Sequence, residues 1–379
     1  MEKYTKIMEI GRGSYGVVWK AMNKQTGEVV AIKKLNNEYK TNEDSMNLRE
    51  VKSLIKIVNH PNIVKLKEII RENNTLFLIF EYMECDLYQL MVERTKPFSE
   101  SEIRNMCFQT LQGLAYMHHK GYMHRDLKPE NILVSKNILK IGDLGSARET
   151  NGEQPYTQGR THKNWTPLFQ NPGSATAYTH YNVTALWYRA PEVFLRSPCY
   201  NSSVDMWAFG AIMAELYTNQ AVFDGSSDAD VMQKICSVLG TPTESTWLSG
   251  LDLARNVLYR FPDFPGMRFS ELLPTASSDA VNLVASLLSW CPSDRPTAME
   301  ALKHPFFHGC YCVPPTLRLE DTDCNIFNSV PLVFKMAKQR ELLKEKRRLT
   351  SCGSGLEKLD SNEDQILMLQ SINFFDFME

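Results

Sequence analysis

Three oxygen-bearing side chains set out the chemistry this chain could perform. Asp126 and Asn131 stand in His124-Arg125-Asp126-Leu127-Lys128-Pro129-Glu130-Asn131, and Asp143 comes next in Asp143-Leu144-Gly145 after a short apolar stretch. Phosphoryl transfer asks for such a set: one carboxylate to orient a hydroxyl nucleophile, plus an amide and a second carboxylate to hold Mg²⁺ on the phosphates. On that reading Asp126 takes up or orients the substrate hydroxyl, Lys128 steadies the transferred phosphoryl group, and Asn131 and Asp143 are the metal ligands.

These groups need elements to position them. Ile132-Leu133-Val134 and Ile138-Leu139-Lys140-Ile141, joined by Ser135-Lys136-Asn137, predict a hairpin that turns Asn131 and Asp143 toward one site. Upstream, Ser99 to His119 predicts a helix. Ser99 and Glu102 form its capping box, and Ile103, Met106, Thr110, Leu111, Leu114 and Met117 form its buried stripe. Near the start lies Ile10-Gly11-Arg12-Gly13-Ser14-Tyr15-Gly16-Val17-Val18. A GxGxxG run is shared with dinucleotide-binding folds, where the glycines open a helix. Here Val17, Val18 and Trp19 come at once, and Thr26-Gly27-Glu28 turns into Val29-Val30-Ala31-Ile32, which predicts strands. Glycines in that setting let backbone N–H groups lie close over phosphates.

Alternation puts Ala31 and Lys33 on one face of the third strand and Ile32 and Lys34 on the other. Lys33 is therefore the candidate for the α- and β-phosphates, with Lys34 a solvated neighbour. Asn47 to Leu54 predicts a helix, with Leu48, Val51, Leu54 and Ile55 at helical spacing and Glu50 beside that stripe, where by itself it reads as a surface carboxylate. Ile63 to Leu66 and Leu76 to Phe80 predict two more strands, leading into a connector at Glu81-Tyr82-Met83.

Composition narrows the setting. The chain has 379 residues, is 43% hydrophobic and 23% charged, and carries a net charge of −2, which offers no electrostatic case for nucleic acid or anionic lipid. Its 9 cysteines show no paired-spacing framework, and Cys310 with Cys312 has no zinc-spaced partners, as expected of a reducing compartment. No 18-residue apolar run is present and MEKYTKIMEIG does not read as a secretory signal, so an intracellular protein without a membrane span is expected.

The wording HRDLxxxN ahead of Asp-x-Gly resembles the catalytic and metal loops of eukaryotic protein kinases, and DLKPEN resembles the serine/threonine class. The resemblance implies an α+β, bilobal fold over residues 4–307. Residues 4–80 would form an N-lobe of antiparallel sheet plus one helix, 81–83 a hinge, and 84–307 a mainly helical C-lobe. It implies ATP and Mg²⁺ as cofactors. The nucleotide surface would be Ile10, Gly11, Arg12, Gly13, Ser14, Tyr15, Gly16, Val17, Val18, Ala31, Lys33, Phe80, Glu81, Met83, Asn131 and Asp143. The backbone at Glu81 and Met83 would meet the adenine edge, with Phe80 limiting the pocket. It also implies that Glu50 holds Lys33, that Asp205 anchors the catalytic loop and that Glu192 pairs with Arg295. Leu144 stands where phenylalanine is usual.

Met46 to Leu54, Phe80 to Met83, Leu87 to Met91 and Cys236 to Pro242 resemble the male-germ-cell-associated (RCK) kinase family, related to cyclin-dependent and mitogen-activated kinases, and the stretch after Pro242 reads as rich in loops. That family implies protein substrates with serine or threonine before proline and a role in cilium or flagellum length; the helix before Arg49-Glu50 lacks the cyclin-binding wording, so a cyclin partner is not expected. Thr179-His180-Tyr181 resembles a dual phosphorylation site for an upstream activating kinase, with Arg49, Arg125 and Arg148 ready to receive phosphate. Ala185 replaces the threonine that relatives place two residues before Trp187. Residues 149–177 read as a flexible insert in the activation segment. Beyond the domain lies a 308–379 extension that is partly helical or disordered. That extension contains a basic stretch, Val333 to Leu349, and an apolar end, Ile366 to Phe377. A cytoplasmic location is expected, with cilium, flagellum or nucleus as alternatives. A nucleotide-binding pseudokinase or scaffold and a cyclin-dependent enzyme proper are the competing readings.

Overall fold

Residues 1–13, 16–39, 48–57, 59–150 and 185–310 are described by the computed structural model. Strands β1 (Tyr4–Gly13), β2 (Gly16–Asn23) and β3 (Val29–Glu38), helix α1 (Arg49–Lys56), and strands β4 (Leu66–Glu72) and β5 (Thr75–Glu81) build the N-terminal lobe. The strands form one antiparallel sheet in the order β1-β2-β3-β5-β4. β2 enters this sheet through Gly16, whose φ is +149 and where a Cβ would run into the Lys34 carbonyl oxygen. The last glycine of the GxGxxG run is thus needed for strand packing as well as for any ligand.

The C-terminal lobe begins with β6 (Cys85–Asp86), α2 (Leu87–Glu93) and α3 (Glu100–His119). The predicted Ser99–Glu102 capping box is present, and the buried face of α3 carries all six residues of the expected stripe. Then come β7 (Tyr122–Met123), β8 (Ile132–Ser135), β9 (Ile138–Ile141) and β10 (Arg148–Glu149). The hairpin β8–β9 has the expected register, with Ile132 opposite Ile141 and Ser135 opposite Ile138. Helices α4 (Pro191–Phe194), α5 (Ser203–Thr218), α6 (Asp228–Leu239), α7 (Glu244–Asn256), α8 (Phe269–Leu272), α9 (Ser278–Leu287) and α10 (Ala298–Leu302) complete the described part. α5 is buried almost all round, from Ser203 to Leu216. A helix that is apolar on every side sits inside its lobe, and α5 is the post around which this one packs. The fold is α+β and bilobal, as expected.

Three expectations need correction. The strand foreseen at Ile63–Leu66 begins at Leu66 and runs to Glu72. The Ile63 stretch instead lies along β9: Val64 N–H donates to Ile141 O at 2.9 Å and Ile141 N–H to Asn62 O at 2.8 Å. Charged residues in β4 disguise it, which an edge strand tolerates. The stretch after Pro242 is expected to be rich in loops, yet Glu244–Asn256 is helical, started by a Thr243–Thr246 capping box. Lastly, Glu149 does not open a flexible insert. Arg148 and Glu149 pair with Met123 and Tyr122, and Glu149 accepts from Lys56 at 2.7 Å and from Tyr122 at 2.6 Å. Residues 151–184, the basic stretch and the apolar end fall outside the described residues.

Candidate active site

Lys33 enters from β3 on the sheet face shared with Val18, its cross-strand partner on β2, and Leu78 on β5. Residues directly opposite in a ladder share a face, so Ala31, paired with both Lys20 and Phe80, lies one step along the same surface. The predicted alternation therefore holds: Lys33 is 9% exposed and Lys34 is more open. α1 presents Glu50 to Lys33, and the Nζ–Oε1 distance is 2.7 Å. The same ammonium reaches Asp143 Oδ1 of the other lobe, also at 2.7 Å. Burial works to lower the Lys33 pKa, but the two carboxylates outweigh it and hold the amine above the ordinary lysine range. Burial works to raise the Asp143 carboxyl, and the Lys33 charge and hydrogen bond keep it below the ordinary carboxylate range.

Asp143 has φ +47, a left-handed backbone that aims its side chain back at Lys33. Gly145 comes two residues later. A Cβ there would stand 3.2 Å from Asp143 Oδ1 and 3.3 Å from Glu50 Oε2, so a side chain would crowd both partners of the lysine. Leu144 is 1% exposed, and the apolar packing expected of the usual phenylalanine is retained.

The catalytic-loop candidates are fixed from below. Asp205 of α5, 1% exposed, accepts from the amides of His124 and Arg125 at 2.8 Å each and meets His118 Nε2 at 2.9 Å. Those bonds hold Arg125 at φ +69, a strained position for a bulky residue. His124 is fully buried, and its Nε2 meets Gly142 O at 2.9 Å, tying this loop to the one that carries Asp143. Asn131 Nδ2 donates to Asp126 O at 2.6 Å and lies 3.3 Å from Asp126 Oδ2. Lys128 Nζ lies 3.7 Å from Asp126 Oδ2. Burial pushes the Asp126 carboxyl up; Lys128 opposes this, and the Asp143 charge adds to it.

The donor set suits a hard cation. With Asn131 Nδ2 and Asp143 Oδ1 engaged, Asn131 Oδ1 and Asp143 Oδ2 have no hydrogen-bond donor among the described residues. An amide oxygen plus a carboxylate oxygen fits Mg²⁺, which takes few protein ligands and completes its shell with phosphates and water.

The remaining candidates lie on the strands, the connector and the loops. Gly11, Gly13, Gly16, Val17 and Val18 lie on β1 and β2, and Ile10 is 39% exposed on β1. The Arg12 side chain is exposed and pairs with Glu9 at 2.8 Å. Phe80 is half-buried at the end of β5, with Glu81 next to it and Met83 buried just beyond. Ser14, Tyr15 and the side chain of Arg49 fall outside the described residues. Arg125 donates to Ser146 O at 2.8 Å and to Tyr200 OH at 3.1 Å. Tyr200, His118 and the Lys140–Glu81 pair are not foreseen by the sequence; none carries a local signal, because each acts on a group far along the chain.

The two structural pairs implied by resemblance are present: Asp205 on the loop amides, and Arg295 bidentate on Glu192 at 2.7 and 2.8 Å. Further along α5, Glu215 Oε2 accepts from Tyr188 OH at 2.7 Å. Burial, helped by the Glu130 charge, pushes Glu215 up to about 7. A carboxyl raised on folding adds stability in acid, and that stability is lost as pH rises toward its folded pKa. Glu215→Gln should therefore match wild type near pH 4 and gain on it between about pH 4.5 and 7. It should then stay ahead by on the order of 3 kcal/mol, read by urea unfolding across pH. A gap of the same size at pH 4 would refute this.

Comparison with known proteins agrees with this geometry. The family model for the protein kinase domain matches residues 4–307. Cyclin-dependent kinase F-4 of Oryza sativa subsp. japonica is 52% identical over 318 residues, covering 84% of this chain and 64% of that protein. Serine/threonine-protein kinase MAK of Rattus norvegicus is 47% identical over 308 residues, covering 81% and 46%. Serine/threonine-protein kinase ICK of Mus musculus is 46% identical over 308 residues, covering 81% and 45%. The chain thus spans less than two thirds of each of these relatives. It belongs to the protein kinase family, within the CMGC group that holds the MAK, ICK and F-type cyclin-dependent kinases.

Proposed function

We propose that this chain is an active serine/threonine protein kinase that uses Mg²⁺-ATP. The observation that carries this is one atom, Lys33 Nζ, lying 2.7 Å from a carboxylate of each lobe. A scaffold has no need to keep that bridge together with Asp126 and Asn131. The kinase domain is taken as 4–307, with 4–80 above the 81–83 hinge and 84–307 below, and 308–379 as an extension.

In this reading the amides around Gly11 to Gly16 and the Lys33 amine hold the phosphates, while Ala31, Phe80, Glu81 and Met83 surround the adenine. Asn131 and Asp143 would hold Mg²⁺, which when bound neutralises phosphate charge. Asp126 orients the substrate hydroxyl and takes its proton as the new O–P bond forms and the bond from the γ-phosphorus to the bridging oxygen breaks, leaving ADP. Lys128 keeps Asp126 charged and faces the transferred group. Mixing the chain with γ-labelled ATP and a generic basic protein tests this: label should pass to serine and threonine. Transfer no greater than that of Asp126→Asn would favour the scaffold reading.

The finer assignments rest on resemblance. We take serine or threonine before proline as the acceptor, an upstream kinase as the activator, and control of cilium or flagellum length as the role. The cytoplasm is the proposed location; among the described residues, no helix is long and apolar enough to cross a membrane. Two rice relatives bear the name cyclin-dependent, yet the helix before Arg49-Glu50 lacks the cyclin-binding wording, and we take this chain to need no cyclin. Added cyclin should therefore leave activity unchanged. Thr179 and Tyr181 are the proposed switch. Thr179→Ala should lower turnover at least about fivefold, because the basic cluster loses a counter-charge; unchanged turnover of chain pre-treated with an activating kinase would remove the switch.

A further inference from the structure

The connector at Glu81 is held by more than its backbone. Glu81 and Lys65 exchange bonds: Glu81 N–H donates to Lys65 O at 3.1 Å, and Lys65 N–H donates to Glu81 Oε1 at 2.7 Å. The same carboxylate takes both of its oxygens to Lys140 Nζ, at 2.8 and 2.9 Å. Lys140 belongs to β9, the strand that leads directly into Asp143. β9 is itself gripped from the N-terminal side: Asn62 Nδ2 donates to Leu139 O at 2.9 Å, and the Asn62–Val64 backbone brackets Ile141. At the other end of the connector, Glu84 N–H donates to Val134 O at 3.1 Å, and Lys136 N–H donates to Glu84 Oε2 at 3.0 Å.

We infer that Lys140 is a positioning residue for the nucleotide. Its ion pair with Glu81 fastens the stretch that meets adenine to the strand that carries the metal-binding carboxylate. The pair is formed by side chains 16% and 23% exposed, so it is partly shielded from solvent. It ties the first residue of the 81–83 connector to a strand of the C-terminal lobe, so movement of the connector away from β9 breaks it. Keeping it intact holds the adenine contacts and Asp143 at one fixed separation, which lowers the ordering cost of binding a ligand that touches both. This role rests on the nucleotide reading of the site proposed above.

Lys140→Met keeps the aliphatic stem and removes the charge, and Lys140→Arg restores it. Two measurements on the full chain separate the outcomes. In the absence of nucleotide, Lys140→Met should speed hydrogen–deuterium exchange in the peptides covering 80–84 and 139–143, with the midpoint of unfolding little changed. With nucleotide, it should weaken Mg²⁺-ADP binding and raise KM for ATP about fivefold while kcat moves less than about twofold, and Lys140→Arg should recover most of both. Unchanged exchange overturns the inference, as does faster exchange with wild-type affinity. A wild-type chain that binds no Mg²⁺-ADP would overturn the nucleotide reading itself, and this role with it.

Discussion

Asp126→Asn should lower phosphoryl transfer by about 10²–10⁴-fold while leaving the fold intact or slightly firmer. The two effects share one cause. Asp126 is enclosed enough that burial raises its pKa, so holding the charge there costs stability. Asparagine removes the charge, keeps the shape, and still offers an oxygen to Asn131 Nδ2, now 3.3 Å from Asp126 Oδ2. Nucleotide affinity should be retained, because Lys33, Glu50 and Asp143 are untouched. The same raised pKa sets the acid limb of activity: as pH falls, the base is lost at a higher pH than for an ordinary aspartate. Transfer within twofold of wild type would remove Asp126 from the mechanism.

The largest effect on stability is expected at Arg295. Its side chain is 0% exposed and that of Glu192 is 3% exposed. Besides the bidentate pair, Arg295 donates to Ser203 O at 3.2 Å, Ser289 O at 2.9 Å and Trp290 O at 3.1 Å. Arg295→Met leaves a buried carboxylate and three carbonyls without their donor, and should cost about 3–5 kcal/mol in denaturant unfolding. Adding Glu192→Met should recover part of that loss, because the stranded charge goes with it, although the carbonyls remain short of a partner. A cost below about 1 kcal/mol for the single variant would mean that water reaches the pair.

Much of the site is legible in the sequence because its residues are local to strong signals. Lys33 is set by period-two alternation, Glu50 by a helical stripe, and Asn131 and Asp143 by a hairpin whose strands are apolar and whose turn is polar. The hidden parts share a different trait. β4 escapes detection because an edge strand is not obliged to alternate, and its charges look like those of a loop. Ile63 and Val64 look like a strand because both are β-branched, yet their partner is β9, more than 70 residues away in sequence. Glu149 reads as loop because the Gly- and Pro-containing residues after it do; Lys56 and Tyr122, which hold it, lie far upstream. Local pattern reports which face a residue shows, while long-range pairing decides what that face meets.

The grip of Asp205 on the amides of His124 and Arg125 separates the two halves of this machine. The side proposed to take the proton is held to a buried helix. The side proposed to grip phosphate depends on α1, an eight-residue helix whose N-cap, Leu48, makes no side-chain capping bond. Control signals can therefore work by disengaging the upper grip while the lower chemistry stays fully assembled, so that an idle molecule needs only one element to dock before it is ready.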